Sequence, residues 1–272
     1  MKDDEKFFEN ILITGGLGDF LAIDSFLTNE QKSKIKKIIL ATKAGSFIKS
    51  LFNLKNKYYC NLKKIQILDY NFFKNPAFHN LEITKYYIPL SKKFWENVYD
   101  GSISNIFKLI RKTELKYQES SFLKLNINIK KFNLPNNYLT ILPCSGNKIN
   151  DFRNFDDNDW EYLIYFLKNK NKIGVCIGTE NKKIPKDNYL INLTKETSVL
   201  ESIEILNKSK GYIGIDSWLS VLAPKIFSKN KIYIKSNSKH CFKFSNIYFN
   251  PLVIKSFLFN NLKQLNIKFQ KF

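Results

Sequence analysis

Short apolar runs of strand length alternate with helix-length amphipathic stretches twice along this chain, which implies two parallel-sheet α/β domains facing each other across a cleft. In the first series Ile11–Thr14, Lys37–Ala41 and Lys64–Asp69 read as strands, with helices over Asp19–Leu27 and Gly45–Leu54. Leu81–Ile88 reads as a further strand and Ser104–Lys112 as a further helix. Periodicity fades between Thr113 and Asn137 into Lys-, Asn- and Ser-rich sequence, so the interdomain connection is placed there. In the second series Tyr138–Leu142, Lys172–Ile177, Tyr189–Leu193, Gly211–Ile215 and Lys231–Lys235 read as strands. Helices are expected over Asp157–Lys168, after the capping-box pattern Ser198-Val-Leu-Glu201, and over Ser217–Ile226. Pro251–Leu265 reads as a last helix that packs back on the first domain. The expected organisation is residues 1–125, residues 126–250 and a C-terminal segment 251–272.

The first strand-to-helix turn is Gly15-Gly16-Leu17-Gly18-Asp19, directly after Ile11-Leu12-Ile13. Glycines such as Gly16 and Gly18 let a backbone approach a ligand closely. An acid at the helix start points into the crevice at the carboxyl edge of the sheet, where open α/β folds bind ligands. Asp19 therefore reads either as an N-cap or as a carboxylate held at a substrate. The turn lacks the third glycine of the dinucleotide fingerprint and the Lys-Ser/Thr of a P-loop.

The formal charge of +20 invites a nucleic-acid reading. Only Arg111 and Arg153 are arginines among 44 basic residues, however, and a lysine excess of that kind fits an A+T-rich genome. What survives the discount is a surface that favours anionic or phosphorylated partners. Cys60, Cys144, Cys176 and Cys241 are widely spaced, with no CxxC and only His79 and His240 as histidines, so neither a zinc site nor a disulfide framework is expected. Cys176, inside an apolar run, reads as a buried core residue. Met1–Glu9 is charged and lacks the apolar core of a signal peptide, and no run has the length to span a bilayer. The expected location is cytoplasmic, with contact to an anionic membrane face.

Three segments of the second half carry chemistry. Leu142-Pro143-Cys144-Ser145-Gly146 ends a strand and is followed by Lys148 and Arg153. Amides and a hydroxyl in such a loop bind phosphate oxygens. An arginine in this lysine-rich chain suggests a planar, multi-donor cation, or a surface pair with Asp156 or Asp157. Gly178-Thr179-Glu180 follows the next strand, where Glu180 can hydrogen-bond a ribose or base, or lie in a solvated turn. Gly214-Ile215-Asp216-Ser217 joins a strand to a helix whose free amides, with the Ser217 hydroxyl, suit a diphosphate. There Asp216 would orient the loop, and the alternative is a plain Asp/Ser cap.

Taken in order, these segments resemble the heptosyltransferase family of glycosyltransferases (family 9, GT-B fold). Ile11–Asp19 is similar to the family's opening strand and Gly-Asp turn. Pro143-Cys-Ser-Gly, Arg153 and Trp160-Glu-Tyr-Leu are similar to the strand end, basic residue and Trp-bearing helix of its second domain. Gly178-Thr-Glu180, Asn192-Leu-Thr-Lys-Glu-Thr-Ser198 with Glu201, and Gly214-Ile-Asp216-Ser217 complete the series. The resemblance implies two Rossmann-like domains and inverting, metal-independent sugar transfer from a nucleotide diphosphate sugar to a glycan or lipopolysaccharide-type acceptor, with no cofactor. It implies Asp19 as general base, Ser145, Lys148, Arg153 and Ser217 at the leaving diphosphate, and Glu180 at the nucleoside. Trp218 and Val221 stand where the family has Gly and, a few residues on, His. Trp218 can narrow the phosphate loop or stack on a ring. Two other functions fit the residues: a GT-B transferase acting on hydroxylated bases of DNA, and a non-catalytic nucleotide-sugar-binding module.

Overall fold

The computed structural model describes residues 10–13, 16–40, 42–54, 56–67, 120–123, 126–144, 154–178, 184–215, 217–227, 231–235 and 258–259. The chain divides into two compact units, Met1–Phe122 and Leu123–Phe272. Both are α/β with parallel sheets.

The first unit begins with strand β1 (Asn10–Ile13), helix α1 (Leu17–Phe26) and helix α2 (Asn29–Lys34). Strand β2 (Lys37–Leu40), helix α3 (Gly45–Ser50) and strand β3 (Lys64–Ile67) follow. The sheet runs in the order β1-β2-β3, with Ile11 opposite Ile38 and Ile38 opposite Ile65. Ile11, Ile13, Ile38, Ile39 and Leu40 are buried, as a parallel sheet requires on both of its faces. Phe20 of α1 packs with Phe52 and Phe122, and Tyr59 closes the same aromatic cluster. The expected strand Leu81–Ile88 and helix Ser104–Lys112 lie outside the described residues.

Helix α2 is a difference from the sequence reading. Its six residues, Asn-Glu-Gln-Lys-Ser-Lys, carry no apolar stripe. What starts it is a reciprocal cap: Thr28 Oγ1 accepts from the Gln31 N–H at 3.1 Å, and Gln31 Oε1 accepts from the Thr28 N–H at 2.9 Å.

The second unit holds β4 (Tyr138–Leu142), α4 (Asp157–Asn169), β5 (Ile173–Cys176), β6 (Leu190–Asn192) and α5 (Val199–Lys208). It continues through β7 (Tyr212–Ile215), α6 (Trp218–Ile226), β8 (Ile232–Lys235) and β9 (Leu258–Phe259). All pairings are parallel, in the order β6-β5-β4-β7-β8-β9. Every residue of β4, β7 and β8 is buried. Each aliphatic side chain so buried contributes about 1.5–3 kcal/mol relative to exposure. The Ser198–Glu201 capping box forms as read, and Glu201 also meets the Lys131 ammonium at 2.6 Å. Cys176 is fully buried, and loss of water pushes its thiol pKa up, so it is core and not a reactive thiolate.

The C-terminal helix expected over Pro251–Leu265 is corrected at Leu258–Phe259. That pair adds a strand to β8, with Ile234 opposite Leu258 and Lys235 opposite Phe259. A bare edge of a sheet offers unpaired N–H and C=O groups, and satisfying them outweighs a weak local helical preference. The rest of 251–272 lies outside the described residues. Among the described residues no helix is long and apolar enough to cross a membrane.

Candidate functional site

The strand order of the second unit places its switch point at β4. From β4 the chain moves outward to β5 and β6, then returns to the other side of β4 with β7 and β8. Connections leaving the carboxyl ends of β4 and β7 therefore diverge, and open α/β sheets bind ligands in the resulting crevice. Both phosphate-type segments of the sequence leave from those two strand ends. The Pro143–Arg153 segment follows β4, and the Asp216–Ser217 turn follows β7.

Described groups fix the base of each connection. After β4, the Phe155 N–H donates to the Pro143 carbonyl at 2.9 Å, closing the ends of the 144–154 segment on each other. Phe155 is buried and meets Trp160 edge-on, with ring centroids 5.5 Å apart, which anchors the entry to α4. Asp156 caps that helix by accepting the Asp159 N–H at 2.9 Å, and Asp159 accepts the Asp156 N–H at 3.0 Å. The ammonium of Lys235, ending β8, bonds the Asn154 carbonyl at 2.9 Å and pairs with Asp159 and Asp156. Partial burial pushes the Asp156 carboxyl pKa up, but the Asp159 N–H and the Lys235 charge outweigh it and hold it below the usual value. Ser145, Gly146, Lys148 and Arg153 themselves lie outside the described residues. Asp156, one of the two acids available to Arg153 as a surface pair, is already engaged as cap and as partner of Lys235.

After β7, Ser217 occupies the N-cap position of α6, and Ser220 Oγ accepts its N–H at 3.1 Å. Trp218 is the first helical residue and is half-buried. The first-turn amides of a helix have no intrahelical acceptor, so this end favours an anion. Asp216 lies outside the described residues. The turn is braced from below, because the Tyr212 hydroxyl folds along its own strand and donates to the Ile215 carbonyl at 3.2 Å. Only glycine at position 214 leaves room for that. A Cβ there would collide with the Tyr212 hydroxyl and lie 3.0 Å from the Leu142 carbonyl oxygen. Gly214→Ala is expected to cost about 2 kcal/mol through overpacking and to lower the melting temperature measured by circular dichroism. An unchanged melting temperature would show that the strand tolerates the methyl group.

After β5, Gly178 takes φ +142°, a backbone conformation that side-chain-bearing residues rarely adopt, and its carbonyl accepts the Lys195 N–H at 2.8 Å. Glu180 lies outside the described residues.

No family model matches the chain, and no curated protein matches it. Two solved structures of TibC are similar to it. One is the bacterial iron-containing dodecameric glycosyltransferase TibC from enterotoxigenic E. coli, at 15% identity over 82% of this chain and 56% of that one, with TM-score 0.45. The other is dodecameric iron-containing heptosyltransferase TibC in complex with ADP-D-β-D-heptose, at 14% identity over 78% and 54%, with TM-score 0.42. The chain thus spans little more than half the length of either.

In the first unit the Gly16 carbonyl accepts the first helical bond of α1, from the Phe20 N–H at 3.1 Å. Gly16 thus holds the capping position, Gly18 is the second residue of the helix, and Asp19 is the third. The N-cap reading of Asp19 is therefore replaced by a place inside the first turn.

Sequence reasoning passed over the other acid of this helix. Asp24 is fully buried and accepts the Tyr59 hydroxyl at 2.9 Å, the Ser120 hydroxyl at 3.0 Å and the Ser121 N–H at 2.9 Å. The equally buried Lys32 ammonium lies 3.2 Å from Asp24 Oδ1, the oxygen that also accepts from Tyr59. Burial first, and then the Asp24 charge, push the Tyr59 hydroxyl pKa well up. A carboxylate so saturated has no lone pair directed to a substrate, and it acts as an anchor. The signal for it was an acid on the same helical face as Phe20 and Leu21, where an apolar residue belongs. Among the described residues no three His, Cys, Asp or Glu side chains gather as a metal site.

Proposed function

We propose that this chain is a GT-B glycosyltransferase that moves a sugar from a nucleotide diphosphate sugar to a hydroxyl of a glycan or lipopolysaccharide-type acceptor, with inversion. The observation that carries the reading is that the β4 and β7 connections leave neighbouring strand ends on either side of the switch point of the second sheet. Backbone amides, Ser145, Lys148, Arg153 and Ser217 belong to those connections, which supplies a cationic, amide-rich cradle for a leaving diphosphate. Gly146 keeps the cradle open, Glu180 holds the nucleoside, and Asp216 orients its turn. Trp218, at the start of α6, offers a ring face to the base or sugar.

The acceptor side is the first unit. Gly16 and Gly18 allow close approach, and Asp19 takes the acceptor proton as the hydroxyl oxygen bonds to the anomeric carbon. The bond from that carbon to the diphosphate oxygen breaks, and its electron pair leaves with the nucleoside diphosphate. Attack opposite the leaving group inverts the centre, and a metal is not required where the cradle carries the charge. The basic surface suits an acceptor carried on an anionic membrane face.

A panel of nucleoside diphosphates and sugar nucleotides tests the reading by thermal shift and by slow donor hydrolysis. A ligand at a hundred times its dissociation constant stabilises by about 2.7 kcal/mol, a shift well within reach of the assay. At least one sugar nucleotide should stabilise the chain and be hydrolysed. Stabilisation without turnover would leave a non-catalytic binding module, and no stabilisation by any of them would end the glycosyltransferase reading.

A further inference from the structure

The connections that enter the second sheet, at the amino ends of its strands, carry lysines that no acid offsets. Elsewhere in this unit a lysine with an acid in reach pairs with it: Lys131 with Glu201, Lys168 with Asp187 and Lys208 with Glu204. Directly before β4, β5 and β7 the chain reads Pro-Asn-Asn, Lys-Asn-Lys and Ser-Lys-Gly, and Lys231 stands directly before β8, with no acid among them. Lys170 and Lys172 are half-buried, Lys210 and Lys231 are exposed, and none of the four meets a carboxylate among the described residues. The sheet order sets them in a row. Lys172 precedes Ile173, which lies opposite Tyr138, and the Lys210 N–H donates to the Tyr138 carbonyl at 2.8 Å. Lys231 precedes Ile232, which lies opposite Tyr212. Neighbouring strands are about 4.8 Å apart, so the row from Lys172 to Lys231 spans about 15 Å. The charges feel one another: burial first, and then the Lys210 ammonium, lower the Lys172 pKa, while the Lys172 ammonium donates to Asn137 Oδ1 at 2.7 Å. Helix ends account for part of this basic character, since Lys168 and Lys208 lie in the last turns of α4 and α5. Lys172, Lys210 and Lys231 lie beyond the last turn of any helix, where that effect has faded.

We propose that the amino edge of the second sheet, through Lys170, Lys172, Lys210 and Lys231, docks on an anionic lipid surface. Clusters of four or more lysines near a membrane are the usual means of holding acidic headgroups. The cations here are all lysines, compact and strongly hydrated charges, without the arginine fork that reads base edges. The row carries no aromatic side chain on which the bases of a single strand would stack, so a bilayer fits it better than a nucleic acid. A second copy of a chain of formal charge +20 would be repelled. Docking at the amino edge leaves the carboxyl edge of the same sheet, where open α/β folds take their ligands, free. The proposal needs no sugar donor, so it stands or falls apart from the glycosyltransferase reading.

The test is sedimentation of the full chain with vesicles of mixed phosphatidylglycerol and phosphatidylcholine, and with vesicles of phosphatidylcholine alone. The parent should bind the mixed vesicles, release them as salt is raised, and ignore the neutral ones. Lys170→Gln/Lys210→Gln/Lys231→Gln leaves the Lys172 bond to Asn137 in place. It should lose about a hundredfold in affinity, at about fivefold for each lysine near an anionic surface. Lys49→Gln/Lys63→Gln/Lys64→Gln removes the same charge from exposed positions of the first unit and should lose less than about fivefold in all. Equal losses in the two triple variants would make the binding a matter of net charge and overturn the docking edge. A parent that binds neither vesicle, or both alike, would overturn it too. In competition, a parent that prefers single-stranded DNA to the mixed vesicles would replace the bilayer with a nucleic acid. Melting followed by circular dichroism separates a structural role. An edge variant that melts below the parent yet keeps its vesicle affinity would assign these lysines to the fold and not to a membrane.

Discussion

Asp19→Asn is expected to lower sugar transfer by about a thousandfold while leaving donor affinity within about twofold of the parent, as loss of a general base does. The substitution conserves volume and hydrogen-bonding reach, so it removes proton acceptance and little else. Asp19 is the third residue of α1, a first-turn position at which an acid generally favours the positive end of a helix. That second role is small: losing a first-turn charge costs about 0.3–1 kcal/mol of stability. The two roles separate cleanly by magnitude and by observable. A base is lost in turnover with the melting temperature almost unchanged, whereas a helix-dipole residue is lost in melting temperature with turnover intact. Donor binding is read separately, by titration with the nucleoside diphosphate, because the proposed donor cradle belongs to the second unit. Transfer within tenfold of the parent would remove Asp19 from the base role.

Much of the fold was legible in the sequence because a parallel sheet is buried on both faces. Tyr138–Leu142 and Ile232–Lys235 are continuous buried runs, and such runs need no partner to be recognised. The start of α5 was legible for a different reason: Ser198 and Glu201 carry their cap within four residues. Thr28 and Gln31 carry the same device, but the polar helix behind it offered no periodicity to confirm it. Leu258–Phe259 was misread because its strand state is set by the edge of β8, more than twenty residues earlier in the chain. In the candidate site, the motifs at the ends of β4 and β7 could be read locally, and the sheet order then made β4 and β7 neighbours. Lys235 could not be found that way. It is one lysine in a chain of 44 basic residues, and its meaning comes from Asn154 and Asp159, which lie 81 and 76 positions away. Long-range polar pairing leaves no period in the sequence, so it is visible only once the strands are ordered.

The same holds for Asp24, whose replacement should have the largest effect on stability. Its Tyr59 and Ser120 partners lie 35 and 96 positions away, so one carboxylate ties α1 to two distant segments of the first unit. Asp24→Ala would leave the fully buried Lys32 ammonium without its counter-charge and three donors without their acceptor. Breaking a buried pair from one side costs about 3–5 kcal/mol. Against a total stability of about 5–15 kcal/mol, that loss would partly or wholly unfold the unit at 37 °C. The exposed pair of Lys34 with Glu30 on the neighbouring helix gives the contrast, since solvent screens it and Glu30→Gln should leave unfolding unchanged. The paired variant Asp24→Asn/Lys32→Met separates charge from hydrogen bonding. It removes the ammonium together with the carboxylate charge and keeps an oxygen for the Ser121 N–H, so it should recover most of the loss. Urea unfolding followed by circular dichroism measures all four proteins. If Asp24→Ala costs less than about 1 kcal/mol, the cluster is not the anchor of α1. If the paired variant is as unstable as Asp24→Ala, the hydrogen bonds rather than the buried charge hold the helix. An intact anchor matters beyond stability, because α1 carries Asp19 in its first turn, two helical turns or less from Asp24, and any shift of the helix moves the proposed base with it.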